Sequence, residues 1–158
     1  MIGAIAGDMI GSPFERYPIK KDDFSIRVAG FTDDTVLTVA VASAILTGSD
    51  YAVTIKSFAR HHPHAGYGGS FLRWMQAWEN KPYNSWGNGS AMRVSPVGFA
   101  FDSIDEVLKQ AKQSAEVTHN HPEGINGAQA TALAILMARQ GAGKETIRKE
   151  IEGRFDYD

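Results

Sequence analysis

The sequence predicts an all-α protein, a compact bundle of six to eight helices forming a single domain over residues 1–158. Three observations predict this class. Apolar residues recur at helical spacing, as in Ile104, Val107, Leu108, Ala111 and Ala115. The periodic stretches are bounded by start and stop signals, with Thr32, Asp50 and Ser103 before them and Gly48 and Gly141 after them. No alternating apolar run between turn residues reads as a strand.

Composition narrows the function classes. At 158 residues, 43% hydrophobic and 22% charged, the chain has an ordinary globular balance. A net charge of -2 gives no general reason to expect nucleic acid or an anionic membrane as partner. The absence of cysteine excludes disulfides, thiolate metal sites and cysteine nucleophiles, and fits a reducing, cytoplasmic location. The apolar start lacks a basic segment and is interrupted by Asp8, so it makes a poor signal peptide. No apolar run approaches the ~20 residues needed to span a bilayer.

Along the chain, Gly3, Gly7 and Gly11 share one face of a first helix. Each glycine costs roughly 1 kcal/mol of helix propensity against alanine, so close packing by a neighbouring helix is expected in compensation. Pro13 should end that helix near Gly11 or Ser12, leaving Glu15 on the following loop. Residues 16–30 read as a charged surface loop. The second helix, from Thr32 or Asp33 to about Thr47, opens with Phe31-Thr32-Asp33-Asp34-Thr35. Thr and Asp are good caps, but capping needs only one such residue. Two adjacent carboxylates between two threonines also suit a hard divalent cation, which takes oxygen ligands. Both readings stand at this point.

Asp50 should cap a third helix over 51–61, offering Val53, Ile55, Phe58 and Ala59 for packing. His61, His62 and His64 lie around Pro63 at irregular spacing and read as a loop rather than a transition-metal site. Gly66, Tyr67, Gly68, Gly69 and Ser70 form a glycine-rich approach to the next helix, where backbone amides can face an anion. An ordinary connection is the plainer reading. Phe71, Leu72, Trp74, Met75 and Trp78 read as the apolar face of that helix. A second glycine-rich loop over 84–90 leads to a short helix that Pro96 should stop. Ser103 and Glu106 have the form of a capping box. Pro122 suits the first turn of an alanine-rich helix ending near Arg139, with His119 and His121 at its mouth. A last helix covers 144–152. Polar loops thus recur at helix mouths, where side-by-side packing would let them converge on one pocket.

At this point the motifs resemble a known family. Gly7-Asp8-Met-Ile-Gly11-Ser-Pro-Phe-Glu15 is similar to the N-terminal signature of the ADP-ribosylglycohydrolases, and Phe31-Thr-Asp-Asp-Thr35 to their first metal motif. Tyr67-Gly-Gly, Asn88-Gly-Ser-Ala-Met-Arg93 and Thr118-His119 resemble later motifs in the right order. The resemblance implies a compact orthogonal bundle of helices and hydrolysis of the glycosidic bond joining ADP-ribose to a modified protein side chain. It implies Mg²⁺ or Mn²⁺, two ions in the family, with Thr32, Asp33 and Asp34 as ligands. It places Glu15 and Asp34 at the chemistry. Gly66, Tyr67, Gly68 and Gly69 correspond to the diphosphate region, Asn88, Gly89, Ser90 and Met92 to the ribose and phosphate site, and His119 to a substrate-facing histidine. The expected partner is ADP-ribose or an ADP-ribosylated protein.

One departure stands out. The family's second metal motif, Gly-Asp-x-Asp-Thr on a late helix, is missing, and Asp156-Tyr-Asp158 lacks its flanking Gly and Thr. Relatives continue with further helices, so the chain reads as a truncated product, a fragment or one piece of a split protein. A half-built site should bind one ion or none, and uncovered apolar faces should favour self-association or a partner supplying the missing half. The competing readings are a non-catalytic ADP-ribose binder, a structural relative of the kind found among lens crystallins, and an inactive remnant.

Overall fold

A computed structural model describes residues 1–15 and 30–157; the loop expected over 16–30 lies outside the described residues, Gly30 apart. Among the described residues there are nine α-helices, one 3₁₀ turn and no strand. The helices are α1 (Ile2–Gly11), α2 (Asp33–Thr47), α3 (Tyr51–His61), α4 (Gly69–Gln76), α5 (Gly89–Met92), α6 (Ser95–Ala100), α7 (Ile104–Glu116), α8 (Pro122–Arg139) and α9 (Lys144–Phe155). The 3₁₀ turn, Ser12–Phe14, follows α1 directly. No helix among them is long and apolar enough to cross a membrane.

The expected caps form. Thr32 Oγ1 accepts from Asp34 N–H, Asp50 Oδ1 from Val53 N–H, and Ser103 Oγ from Glu106 N–H. Gly48 ends α2 in the left-handed conformation at φ 65°. The capping box at α7 forms on one side only. Glu106 turns away and accepts from Gln110 Nε2 at 2.9 Å, while Gln110 Oε1 accepts from Tyr51 OH at 2.9 Å. That chain ties α3 to α7 and holds the carboxylate away from the helix start.

The core lies around α8, which α5, α6, α7 and α9 all pack against, and around α2, which meets α1, α3 and α6. Ala128, Ala132, Leu133 and Leu136 of α8 are buried, as are Val36, Leu37, Ala40 and Val41 of α2. Small side chains on α8 let its neighbours come close. The tightest approach is Gly98 on α6, where an added Cβ would sit 2.6 Å from the Ala132 carbonyl and 2.7 Å from Ile135 Cβ.

Five expectations need correction. Among the described residues nothing packs on the α1 glycine face: a Cβ at Gly3, Gly7 or Gly11 would meet none of them within 4 Å. Helix α1 is held by its contact with the start of α2 instead, and Ile2 is exposed. Pro96 does not stop a helix but opens α6 in its first turn, where the missing N–H costs nothing. Gly89 and Ser90 belong to α5 rather than to a loop. Trp78 is fully exposed beyond the end of α4, because the helix stops at Gln76 when Lys56 Nζ and Arg60 bind the carbonyls of Met75, Ala77 and Glu79. Val53, expected in the core, is also exposed.

These contrasts set up a stability test. Gly98→Ala should cost about 1–3 kcal/mol by overpacking, whereas Gly7→Ala should stabilise the chain by up to about 1 kcal/mol through helix propensity. Urea midpoints measured side by side would show opposite signs; equal effects would contradict the packing described.

Candidate functional site

The acidic motif is organised by a residue for which the sequence offered no role. Asp8, on α1, is nearly buried and reaches the first turn of α2. Its Oδ2 accepts from Thr32 N–H at 2.8 Å and Thr35 N–H at 3.2 Å. Thr32 Oγ1 donates to Oδ1 at 2.6 Å, and Thr35 Oγ1 to Oδ2 at 2.5 Å. Burial alone would raise the Asp8 carboxyl, but these hydrogen bonds outweigh it and hold the pKa below the usual value. The available signal was Asp8 itself, a carboxylate one residue after Gly7 in an otherwise apolar helix.

Asp8 shapes the donor set. Because the Thr32 hydroxyl spends its proton on Asp8, its lone pairs are free to accept from Asp34 N–H at 3.3 Å or to face a cation. Asp33 N–H donates to the Ala65 carbonyl at 2.7 Å, which anchors the loop before α4 to the same helix end. A Cβ on Gly66, whose φ is 99°, would lie 3.7 Å from Asp33 Oδ1. Asp33 and Asp34 are partly buried side by side. Burial first, then the neighbouring Asp34 charge, pushes Asp33 up to about 6. Asp34 is also raised, by burial and then by the charges of Asp8 and Glu15. Glu15 caps the 3₁₀ turn, exposed to solvent, and its charge reaches both aspartates.

A cleft of about 300 Å³ begins at Asp33. Gly68, Gly69 and Ser70 form one wall, at the start of α4, a helix with no side-chain cap. Such a helix end presents amide N–H groups without intrahelical partners. Asn88, Gly89 and Met92 also line the cleft, with Tyr83, Arg93 and His119. His119 is 4% exposed and its Nδ1 lies 2.8 Å from Thr118 Oγ1. Burial, then the Arg93 charge, lowers its pKa to about 4, so the ring is neutral near pH 7.

The structure therefore brings Asp33, Gly68, Gly69, Asn88, Gly89, Met92 and His119 to one cleft. Three of the expected residues serve it from behind. The Tyr67 ring is buried, stacked on Phe71 with centroids 5.0 Å apart, and burial then the Asp33 charge raises its hydroxyl to about 12. Ser90 Oγ donates to the Gly124 carbonyl at 2.6 Å, joining α5 to α8. Gly66 turns the chain beside Asp33. Gly124 was not singled out in the sequence, yet a Cβ there would lie 2.7 Å from the Ser85 carbonyl and 2.9 Å from His119 Cβ.

Thr32, Asp33 and Asp34 offer oxygen donors of the kind a hard cation takes, and the raised aspartate pKa values reflect burial first and then crowding of negative charge. They fit such an ion from one side. Among the described residues no three acidic or imidazole groups converge closely enough to hold a metal ion. The run His61, His62 and His64 shows no such cluster either. His61 Nδ1 contacts the Ser57 carbonyl at 2.7 Å, and the His62 ring packs edge-on to Phe31.

The pKa of His119 has a measurable sign. The folded value lies below the unfolded one, so its contribution to stability is present above about pH 6.5 and is lost as pH falls through about 4. Asp33, raised to about 6, acts oppositely over nearly the same window. A whole-protein pH curve therefore masks both. The difference in unfolding free energy between wild type and His119→Gln should grow by on the order of 1–3 kcal/mol from pH 4.5 to 7.5. Urea unfolding in chelator-treated buffer measures it; a difference independent of pH would contradict a buried neutral imidazole.

Comparison with known proteins bears on this geometry. The ADP-ribosylglycohydrolase family model matches residues 1–156. The chain is 27% identical over 175 residues to the ADP-ribosylhydrolase ARH3 of Xenopus tropicalis, an alignment covering 89% of this chain and 49% of that protein. Against the Bos taurus ARH3 the identity is 33% over 146 residues, covering 80% and 40%. Against the ADP-ribosylarginine hydrolase Tri1 of Pseudomonas putida it is 24% over 174 residues, covering 92% and 47%. The chain spans about half the length of the curated relatives it matches. A match that runs from the first residue to the end of α9, and so takes in both the Asp8-anchored acidic motif and the cleft beside it, means that this chain belongs to the ADP-ribosylglycohydrolase family.

Proposed function

We propose that the cleft binds ADP-ribose and that the site, once its remaining donors are supplied, hydrolyses the glycosidic bond between ADP-ribose and a modified protein side chain. The observation that carries this reading is the junction of the acidic end of α2 with a glycine-walled cleft. One end concentrates negative charge, and the other offers helix amides, a neutral imidazole and a buried guanidinium. A ligand with ribose hydroxyls near a diphosphate suits that polarity.

Each residue has a role set by its chemistry. Thr32 Oγ1, Asp33 and Asp34 would hold Mg²⁺ or Mn²⁺, with water or groups from outside the described residues completing the shell. When bound, such an ion supplies positive charge that orients hydroxyls and lowers the pKa of a coordinated water. Gly68, Gly69 and Ser70 receive phosphate oxygens at the start of α4. Glu15, exposed beside the aspartates, handles a proton as the bond to the oxocarbenium-like sugar breaks. A second chain, a second copy of this one or a further segment would supply the remaining donors.

A second reading is binding without turnover. It is favoured by the lack, among the described residues, of a three-group metal cluster. Both readings meet in one experiment: ADP-ribose binding by calorimetry, and Mg²⁺-dependent release of ADP-ribose from a panel of modified proteins. The hydrolase reading expects release that falls at least about 100-fold in Glu15→Gln and Asp34→Asn. Binding with no release under any divalent metal supports the second reading. Neither binding nor release would overturn both.

A further inference from the structure

Arg93 is a buried cation without a carboxylate partner among the described residues. It leaves α5 fully enclosed, at 0% exposure. Its Nη2 donates to the Ser114 carbonyl at 2.9 Å and to Thr118 Oγ1 at 2.8 Å. Its Nε and Nη1 are buried with no hydrogen-bond partner among the described residues. Enclosing a charge on these terms is expensive, and neither α5 nor α7 requires an arginine for its own capping.

Direction follows from donor chemistry. A guanidinium has donors only, so Thr118 Oγ1 accepts from Arg93. The Tyr83 side chain also hydrogen-bonds Thr118, and its hydroxyl can donate its own proton to the remaining Thr118 lone pair, which leaves the single Thr118 proton for His119 Nδ1, 2.8 Å away. The alternative, Nδ1–H donating to Thr118, would aim a positive N–H dipole toward the Arg93 charge. An Nδ1 lone pair in that position is attracted instead. The ring proton therefore belongs on Nε2. That edge of the ring faces α5, since a Cβ on Gly89 would lie 3.0 Å from both Cε1 and Nε2. His119, Gly89 and Arg93 all border the cleft.

We propose that Arg93 and Thr118 are positioning residues that lock His119 as the neutral Nε2–H tautomer, so that the cleft presents a fixed hydrogen-bond donor rather than a base. The ligand group this donor takes is an oxygen acceptor, a phosphate or hydroxyl oxygen. Only the identity of that acceptor rests on the ADP-ribose reading; the tautomer does not. The proposal gives Arg93, which closes the Asn88–Arg93 motif but had no role assigned to it, an effect on binding without contact to ligand, and it removes His119 from any proton-shuttling role.

The ring ¹⁵N shifts of the five histidines, with His119→Gln to assign its signals, decide the matter at pH 7 without ligand. Wild type is expected to show a protonated Nε2 and an acceptor Nδ1 at His119. Thr118→Val should shift His119 toward mixed tautomers and weaken ADP-ribose binding roughly tenfold, while Thr118→Ser should keep the wild-type pattern and affinity. An Nδ1–H signal in wild type would overturn the proposal, as would a folded Thr118→Val with an unchanged tautomer. If the tautomer behaves as expected but wild type does not bind ADP-ribose, the functional reading fails and this one stands.

Discussion

The carboxylate of Asp8 holds the working end of this protein together. Four groups from the first turn of α2 converge on it, two backbone amides and two threonine hydroxyls. Hydrogen bonds to an ionised acceptor are stronger than neutral ones, and these fix where α2 begins and how α1 lies against it. They also fix the chemistry of Thr32, whose proton is committed and whose lone pairs are not. Without this anchor α1 would have no set relation to the acidic pair, whose place beside the cleft the hydrogen bond from Asp33 N–H to the Ala65 carbonyl also fixes.

The anchor carries an electrostatic cost. Asp8 adds a third negative charge beside Asp33 and Asp34, and Glu15 adds a fourth. A helix N-terminus offsets part of this, since its amides favour negative charge. The remainder adds to burial, the larger cause, in pushing both aspartates up in pKa. This acidic end contrasts with the part of the cleft where Arg93 and a neutral His119 are enclosed.

Close backbone approach builds the histidine side of the cleft. Gly124 and Ser90 let α5 and α8 meet beneath His119, with the Ser90 hydroxyl bound to the Gly124 carbonyl. Gly98 does the same between α6 and α8. These glycines are needed for space and not for unusual backbone angles, whereas Gly66, at φ 99°, is needed for the turn that brings the loop to Asp33. The alanine-rich α8 is therefore the platform on which the histidine wall rests, as α2 is for the acidic end.

The sequence by itself determined the helical class, most helix starts and the motif at Thr32, Asp33 and Asp34, because periodicity, capping and turn chemistry are local and act over a few residues. It also determined which loops carry polar residues, and their order along the chain was enough to show the resemblance. Tertiary structure decided what those residues do. Asp8 looked like a lone charge in an apolar helix until α2 was placed beside it. Tyr67 and Ser90, expected at the ligand, turned inward because their side chains found a ring and a carbonyl in the core. The α1 glycines, which local reasoning assigned to a packed face, meet no covering group among the described residues, since helix spacing reveals a face but not whether anything covers it. Direction of a side chain, and the company it keeps across the chain, are long-range properties, and only packing settles them.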